Sequence, residues 1–264
     1  MEMTGGEALA AQLVREGVSM VFGLPGVQLD HAFAGLYAER ERIQFRGPRH
    51  EQSTTYMADG YARARGEAGV ALVVPGPGVL NAGAGLVTAY ACSSPVLLIA
   101  GQIPSQHIGQ GLGLLHEIRN QEGVLRSTVK WNGRASRPEE IPGLVRRAFQ
   151  EMWRGRPRPV AIEVPPDVLA ARATMRLIDP GQGERASLRT APDPTLIKEA
   201  AGWVGRAQRP VIYAGYGVVA AGATADLVQL AERLQIPVVV SGSGLGAISS
   251  RHPLALTNLA GREL

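Results

Sequence analysis

The sequence predicts an α/β fold: a parallel sheet with helices on both faces, followed by an incomplete Rossmann-like unit. Three observations carry this. Short apolar runs alternate with longer helical segments along the chain. The runs are rich in valine, isoleucine and leucine, without polar alternation, as strands covered on both faces are. Glycine and proline gather in short clusters between them, where tight strand–helix turns are needed.

The elements follow in order. Thr4 and Glu7 form a capping box, Leu9 and Leu13 share one helical face, and Gly17 closes that helix. Residues 18–22 form a strand, and Gly23-Leu24-Pro25-Gly26 turns the chain into a helix over 29–39. Residues 43–45 are a second strand, and a long helix over 50–64 stops at Gly66. The run 70–74 is a buried strand, broken by Gly76-Pro77-Gly78 before an alanine-rich helix over 79–91. Residues 95–100 are the next strand, and 101–130 read as irregular and glycine-rich. Residues 138–153 form an amphipathic helix with Ile141, Leu144, Val145 and Phe149 on one face, and 160–164 is the last strand of a first domain, 1–171. The polar stretch 172–192 reads as a linker. In a second domain, 193–264, Asp193 caps a helix that begins at Pro194. Strands at 211–214 and 236–240 then flank a helix over 223–234.

Composition excludes several classes. Basic and acidic residues number 27 and 23, and all basic residues except Lys130 and Lys198 are arginine. The nearest basic patch, Arg154-Gly155-Arg156-Pro157-Arg158, has no interleaved aromatic beyond Trp153, so no nucleic-acid partner is expected. No membrane partner is expected either, because the longest apolar stretch, 84–100, is interrupted by Ser93, Ser94 and Pro95. The start, Met1-Glu2-Met3-Thr4, carries no basic leader, and the single cysteine, Cys92, excludes a disulfide framework; a cytoplasmic location is the expectation. Neither lysine follows a glycine, so there is no phosphate loop, and the five histidines show no metal-ligand spacing; no residue is expected to ligate a metal. Gly215-Tyr216-Gly217-Val218-Val219-Ala220 fits a dinucleotide turn, but the next strand ends Val239-Val240-Ser241-Gly242 without the acid that would hold a ribose.

The informative segment is Arg49-His50-Glu51-Gln52, leading into Met57-Ala58-Asp59-Gly60-Tyr61-Ala62-Arg63. Gly76-Pro77-Gly78-Val79-Leu80-Asn81 and Gly101-Gln102-Ile103-Pro104 follow. Glu51 enters a helix from a loop at a strand's carboxyl end, where open α/β sheets bind ligands. From spacing alone it is either a functional carboxylate or a helix cap beside Arg49.

These motifs, with Phe22-Gly23-Leu24-Pro25-Gly26, resemble the pyrimidine-binding domain of thiamine diphosphate enzymes of the acetolactate synthase and decarboxylase family. The resemblance covers residues 5–167 and continues into that family's middle domain. It implies a 2-oxo-acid decarboxylase or carboligase with thiamine diphosphate as cofactor. Glu51 matches the glutamate that hydrogen-bonds N1′ of the aminopyrimidine and so drives loss of the C2 proton. Pro77 and Asn81 match residues around the pyrimidine, and Pro25 and Gly26 the loop beside it.

The resemblance also implies a small 2-oxo acid or aldehyde substrate and a homo-oligomer, dimer or tetramer. Mg²⁺ is expected in a diphosphate-binding domain beyond Leu264, so the chain is expected to be a fragment, one half of a split enzyme or a truncated product. FAD, which the synthases bind in the middle domain, is a further candidate cofactor. The alternative is a non-catalytic cofactor-domain remnant that serves only as an interaction module.

Three departures stand out. The family's P-G-G reads Pro25-Gly26-Val27, and its S-G-P-G reads Pro75-Gly76-Pro77-Gly78. The synthases' Phe-Gln-Glu reads Leu115-His116-Glu117, which places His116 beside the cofactor as an acid–base group or as a hydrogen-bond donor.

Overall fold

The computed structural model describes residues 1–181 and 191–256, and the chain divides into two compact units, Met1–Thr190 and Ala191–Leu264. The first unit begins with β1 (Glu2–Thr4), α1 (Gly5–Arg15), β2 (Met20–Gly23), α2 (Asp30–Ala38) and β3 (Gln44–Arg46). It continues with α3 (Glu51–Arg65), β4 (Gly69–Val73), α4 (Pro77–Cys92) and β5 (Val96–Gly101). It closes with α5 (Gln121–Thr128), β6 (Trp131–Arg134), α6 (Ile141–Trp153), β7 (Val160–Val164), α7 (Pro166–Ala170) and β8 (Arg172–Thr174).

Six strands form one sheet in the order β3-β2-β4-β5-β7-β6, all parallel. The central strands alternate between two apolar layers. Val70, Leu72, Leu97, Ile99 and Ile162 pack with Leu13 of α1, Leu36 of α2 and Phe149 of α6. Ala71, Val73, Leu98 and Ala161 pack with Ala58 of α3, Leu86 of α4 and Leu125 of α5. The sheet is thus covered on both faces, and every residue of β4, β5 and β7 is buried. The capping box of α1 forms as the sequence predicts: Glu7 N–H donates to Thr4 Oγ1, and Thr4 N–H donates to Glu7 Oε2.

In the first unit the structure departs from the expectations in two places. The stretch 101–130 is not wholly irregular, because α5 forms behind an Asn120 cap, and β6 follows it. Strand β6 (Trp-Asn-Gly-Arg) is a half-buried edge strand, so it carries no β-branched run to announce it. The predicted linker begins as ordered chain: β8 pairs antiparallel with β1, Met175 is buried, and Ile178 N–H donates to Gln12 Oε1. A short backbone ladder needs no apolar sequence, so polarity alone misread it. The remainder of that linker, 182–190, lies outside the described residues.

The second unit holds α8 (Pro194–Arg206), β9 (Ile212–Ala214), α9 (Tyr216–Ala221), α10 (Thr224–Leu234), β10 (Val238–Val240) and β11 (Ala255–Leu256). Its strands are parallel in the order β11-β10-β9. Asp193 caps α8 by accepting from Thr195 N–H at 2.8 Å. No helix among the described residues is long and apolar enough to cross a membrane.

Helices α1 and α2 touch through glycine. A methyl group at Gly35 would run into the Gly6 carbonyl, and one at Gly6 into the His31 carbonyl. Ala is the better helix former by about 1 kcal/mol, and at Gly143 in α6 nothing lies within 4 Å of an added methyl. Gly143→Ala is therefore expected to raise the thermal midpoint, whereas Gly35→Ala lowers it. Equal shifts in one direction would show that helix contact does not set the Gly35 requirement.

Candidate active site

The loops that follow the carboxyl ends of β2, β3, β4 and β5 emerge along one edge of the sheet. Chain order reverses between β2 and β4, since β3 lies on one side of β2 and all later strands on the other. Such a reversal opens a crevice at the sheet edge. The predicted site residues come from the loops and helix starts around it.

Glu51 is the first residue of α3, behind His50, whose side chain accepts the Gln52 N–H at 3.2 Å. Thr54 Oγ1 donates to the Glu51 carbonyl at 2.7 Å and stiffens this turn. The half-buried Glu51 carboxylate accepts from Asn81 Nδ2 at 3.0 Å through Oε2, while Oε1 has no partner among the described residues. This pairing depends on the close approach of α3 to α4. Thr55 Oγ1 donates to the Ala82 carbonyl at 2.8 Å, and a methyl at Gly85 would strike Thr55 Oγ1.

Helix α4 starts from a turn that only glycine fits. Gly76 has φ +57° and ψ −110°, and a Cβ there would meet the His116 carbonyl oxygen. Its N–H donates to Gln121 Oε1 at 2.7 Å. Gln121 Nε2 in turn donates to the Gly101 carbonyl and to Glu163 Oε1, each at 2.9 Å. Glu163 is fully buried in β7 and also accepts from Gln102 Nε2 at 2.9 Å and from Arg134 Nη2 at 3.0 Å. Pro77 sits exposed at the first position of α4. Across the reversal, Gly26 lies against the Val74 side chain with Pro25 exposed beside it.

His116 is a non-glycine residue at φ +68°, with Nδ1 3.1 Å from Gln28 Oε1. Gln28 Nε2 donates to the Leu115 carbonyl at 3.2 Å. The neighbouring Glu117 accepts from Leu114 N–H at 2.9 Å and Gly111 N–H at 3.1 Å. These backbone donors, Leu114 foremost, hold its carboxyl below the usual carboxylate range.

The structure thus brings Glu51 and Asn81 into contact, and anchors both Pro77 and the His116 carbonyl at the Gly76 turn. No hydrogen bond joins His116 to Glu51 among the described residues. Sequence reasoning missed Glu163, Gln121, Arg134 and Gln28, and met Gln102 only as part of the Gly101-Gln102-Ile103-Pro104 motif, without a role for it. Glu163 had a signal, a lone charge inside the apolar run Val160-Ala161-Ile162-Glu163-Val164. No group of three or more metal-ligating side chains occurs among the described residues.

Two expectations follow from this geometry. Removing one side of a buried charge network costs about 3–5 kcal/mol. Glu163→Leu should lose that much in chemical denaturation, because it strands Gln121, Gln102 and Arg134; a loss under about 1 kcal/mol would mean the carboxylate is not the hub. Glu117 gives a pH dependence. Its folded pKa lies below the unfolded one, so its stabilisation is present above the ordinary carboxylate range and fades as pH falls through the folded value. Urea midpoints measured from neutral to acid pH should fall less steeply in Glu117→Gln than in the wild type.

Comparison with known proteins gives two family matches. The N-terminal TPP binding domain of thiamine pyrophosphate enzymes matches residues 3–124, and their central domain matches residues 197–263. The acetolactate synthase of Arthrospira platensis is 37% identical over 258 residues, covering 96% of this chain and 44% of the relative. The acetolactate synthase isozyme 3 large subunit of Escherichia coli is 36% identical over 262 residues, 97% of this chain and 44% of the relative. A probable 2-ketoarginine decarboxylase of Pseudomonas aeruginosa is 38% identical over 259 residues, 96% of this chain and 44% of the relative. The chain spans less than half the length of these relatives.

Proposed function

This chain belongs to the thiamine pyrophosphate enzyme family, and on that premise we propose that it binds the aminopyrimidine in an acetolactate synthase-like 2-oxo-acid decarboxylase or carboligase. The observation that carries the reading is the Glu51 carboxylate at the crevice, with Oε2 held by Asn81 at 3.0 Å and Oε1 unpartnered among the described residues. A carboxylate, a carboxamide and a turn of glycine and proline suit a flat heteroaromatic ring with one basic nitrogen. Thiamine diphosphate, when bound, would supply an electron sink for the electron pair left on the oxo carbon as carbon dioxide departs.

The chain's own residues have distinct tasks in this reading. Glu51 holds and moves a proton at N1′ of the pyrimidine through Oε1. Asn81 fixes the carboxylate by its amide hydrogen, so the acceptor does not rotate away. Pro25, Gly26 and Pro77 form a low wall that leaves room for the ring, and His116 borders the substrate side. A small 2-oxo acid or aldehyde as substrate, Mg²⁺ held elsewhere, FAD as a second cofactor, a dimer or tetramer and a cytoplasmic setting extend the same proposal.

Glu51→Gln in the assembled enzyme tests it. The amide keeps the shape but cannot take the proton, and losing a positioned acid–base group costs about 10²–10⁴ in rate. Deuterium exchange at C2 of bound thiamine diphosphate should slow by that order. Thermal stability should barely move, because a glutamate in the first helical turn contributes about 0.3–1 kcal/mol. Exchange at the wild-type rate would reduce Glu51 to a helix cap.

A further inference from the structure

The role of His116 can be decided from the atoms around its ring. The Leu115 carbonyl oxygen only accepts hydrogen bonds, so the Gln28 amide must turn Nε2 toward it, at 3.2 Å. The opposite orientation would press two acceptors together. Gln28 Oε1 therefore faces His116 Nδ1 at 3.1 Å, and because Oε1 also only accepts, Nδ1 must carry the hydrogen. A neutral imidazole has one N–H, so the lone pair lies on Nε2. Nε2 has no partner among the described residues, and it is not among the sealed, unpaired polar atoms, which are Asp59 Oδ1, Ser94 Oγ, His107 Nδ1 and Arg158 Nε. It is therefore open to solvent.

The backbone fixes the ring as well. At φ +68° His116 occupies a left-handed conformation that non-glycine residues rarely adopt, and its carbonyl rests in the space left by the missing Gly76 side chain. Gln28 stands two residues after Gly26 in the loop that follows β2. The ring is thus clamped between the two loops that meet at the chain reversal.

We propose that Gln28 is a positioning residue that locks His116 as the Nδ1–H tautomer, so that Nε2 serves as a proton acceptor toward an O–H group in the crevice, that of water or of a hydrated carbonyl. This rests on the reading of the crevice as a 2-oxo-acid or aldehyde site. The balance is simple: the Nε2 lone pair takes the proton, the O–H electrons stay on oxygen, and the imidazolium keeps Nδ1–H on Gln28. Nε2 then returns the proton. Of the two roles left open by the sequence, a neutral His116 is the acceptor; it donates from Nε2 only after taking up a proton.

Nitrogen-15 spectra of the histidine rings in the 264-residue chain, with nothing bound, read the tautomer directly. His116 is assigned by the signal lost in His116→Asn, a change that tolerates the left-handed backbone. The neutral ring of His116 should be Nδ1–H, and an Nε2–H or averaged signal overturns the proposal. Gln28→Leu should release the ring to the Nε2–H form; persistence of Nδ1–H would acquit Gln28. If that variant does not fold, Gln28→Glu keeps an acceptor and should keep Nδ1–H, and Nε2–H there overturns the proposal.

In the assembled enzyme, Gln28→Leu should lower kcat with KM unchanged, and lower it no further in a His116→Asn background. An additive loss would show that Gln28 does not act through His116. Unslowed C2 exchange in Glu51→Gln would sink the cofactor reading and leave the tautomer result standing; an Nε2–H ring would do the reverse.

Discussion

The buried carboxylate of Glu163 is the constraint on which the site depends. It is fully buried at the end of a central strand, in a setting where an unpaired charge is not tolerated. Three donors answer it: Gln102 after β5, Gln121 at the start of α5 and Arg134 at the end of β6. Because each comes from a different element, satisfying the charge fixes the carboxyl ends of three neighbouring strands at once. Gln121 then spends its remaining acceptor on Gly76 N–H, and Gly76 sets the start of α4. Asn81, one turn into α4, holds Glu51. The carboxylate assigned to chemistry is thus held by a chain of hydrogen bonds and one helix that begins at a carboxylate assigned to structure.

The two carboxylates differ in what their surroundings leave them. Glu163 accepts through both oxygens and is sealed, so no acceptor capacity faces a ligand. Glu51 has one oxygen engaged and sits half-buried at a helix start beside the crevice. Partner count and access separate their roles, because the sequence spells both simply as glutamate.

The same distinction explains what could be read in advance. The runs 70–74, 95–100 and 160–164 announced strands because burial on both faces selects continuous apolar sequence. Glu51 was legible through the motifs around it. Gln28 was not, because its partner is 88 positions away and its meaning depends on which way an amide turns in the folded chain. Strands β1 and β8 escaped notice for a related reason: their pairing joins the two ends of the first unit through backbone bonds, which leave no side-chain signature. Strand β6 lies at an edge, half-exposed, where composition is loosely constrained.

The departures from the family pattern fall where the fold has room for them. A side chain at Gly26 would strike Val74, one at Gly78 would strike the same valine, and one at Gly76 would strike the His116 carbonyl, so these positions must stay bare. Val27 stands where the family has a second glycine, yet it is 65% exposed and its side chain meets solvent. Pro75 replaces a serine at a buried position just before the Gly76 turn, and the turn takes its anchoring hydrogen bond from Gly76 itself. A proline, which has no N–H to satisfy, is compatible with that arrangement. The change at His116 is of another kind, because it falls on a residue whose ring bonds Gln28 and whose backbone is held at φ +68°. Steric need therefore fixes Gly26, Gly76 and Gly78, whereas the His116 ring turns to Gln28 and only the His116 backbone carbonyl meets the Gly76 turn, from which α4 carries Asn81 to Glu51.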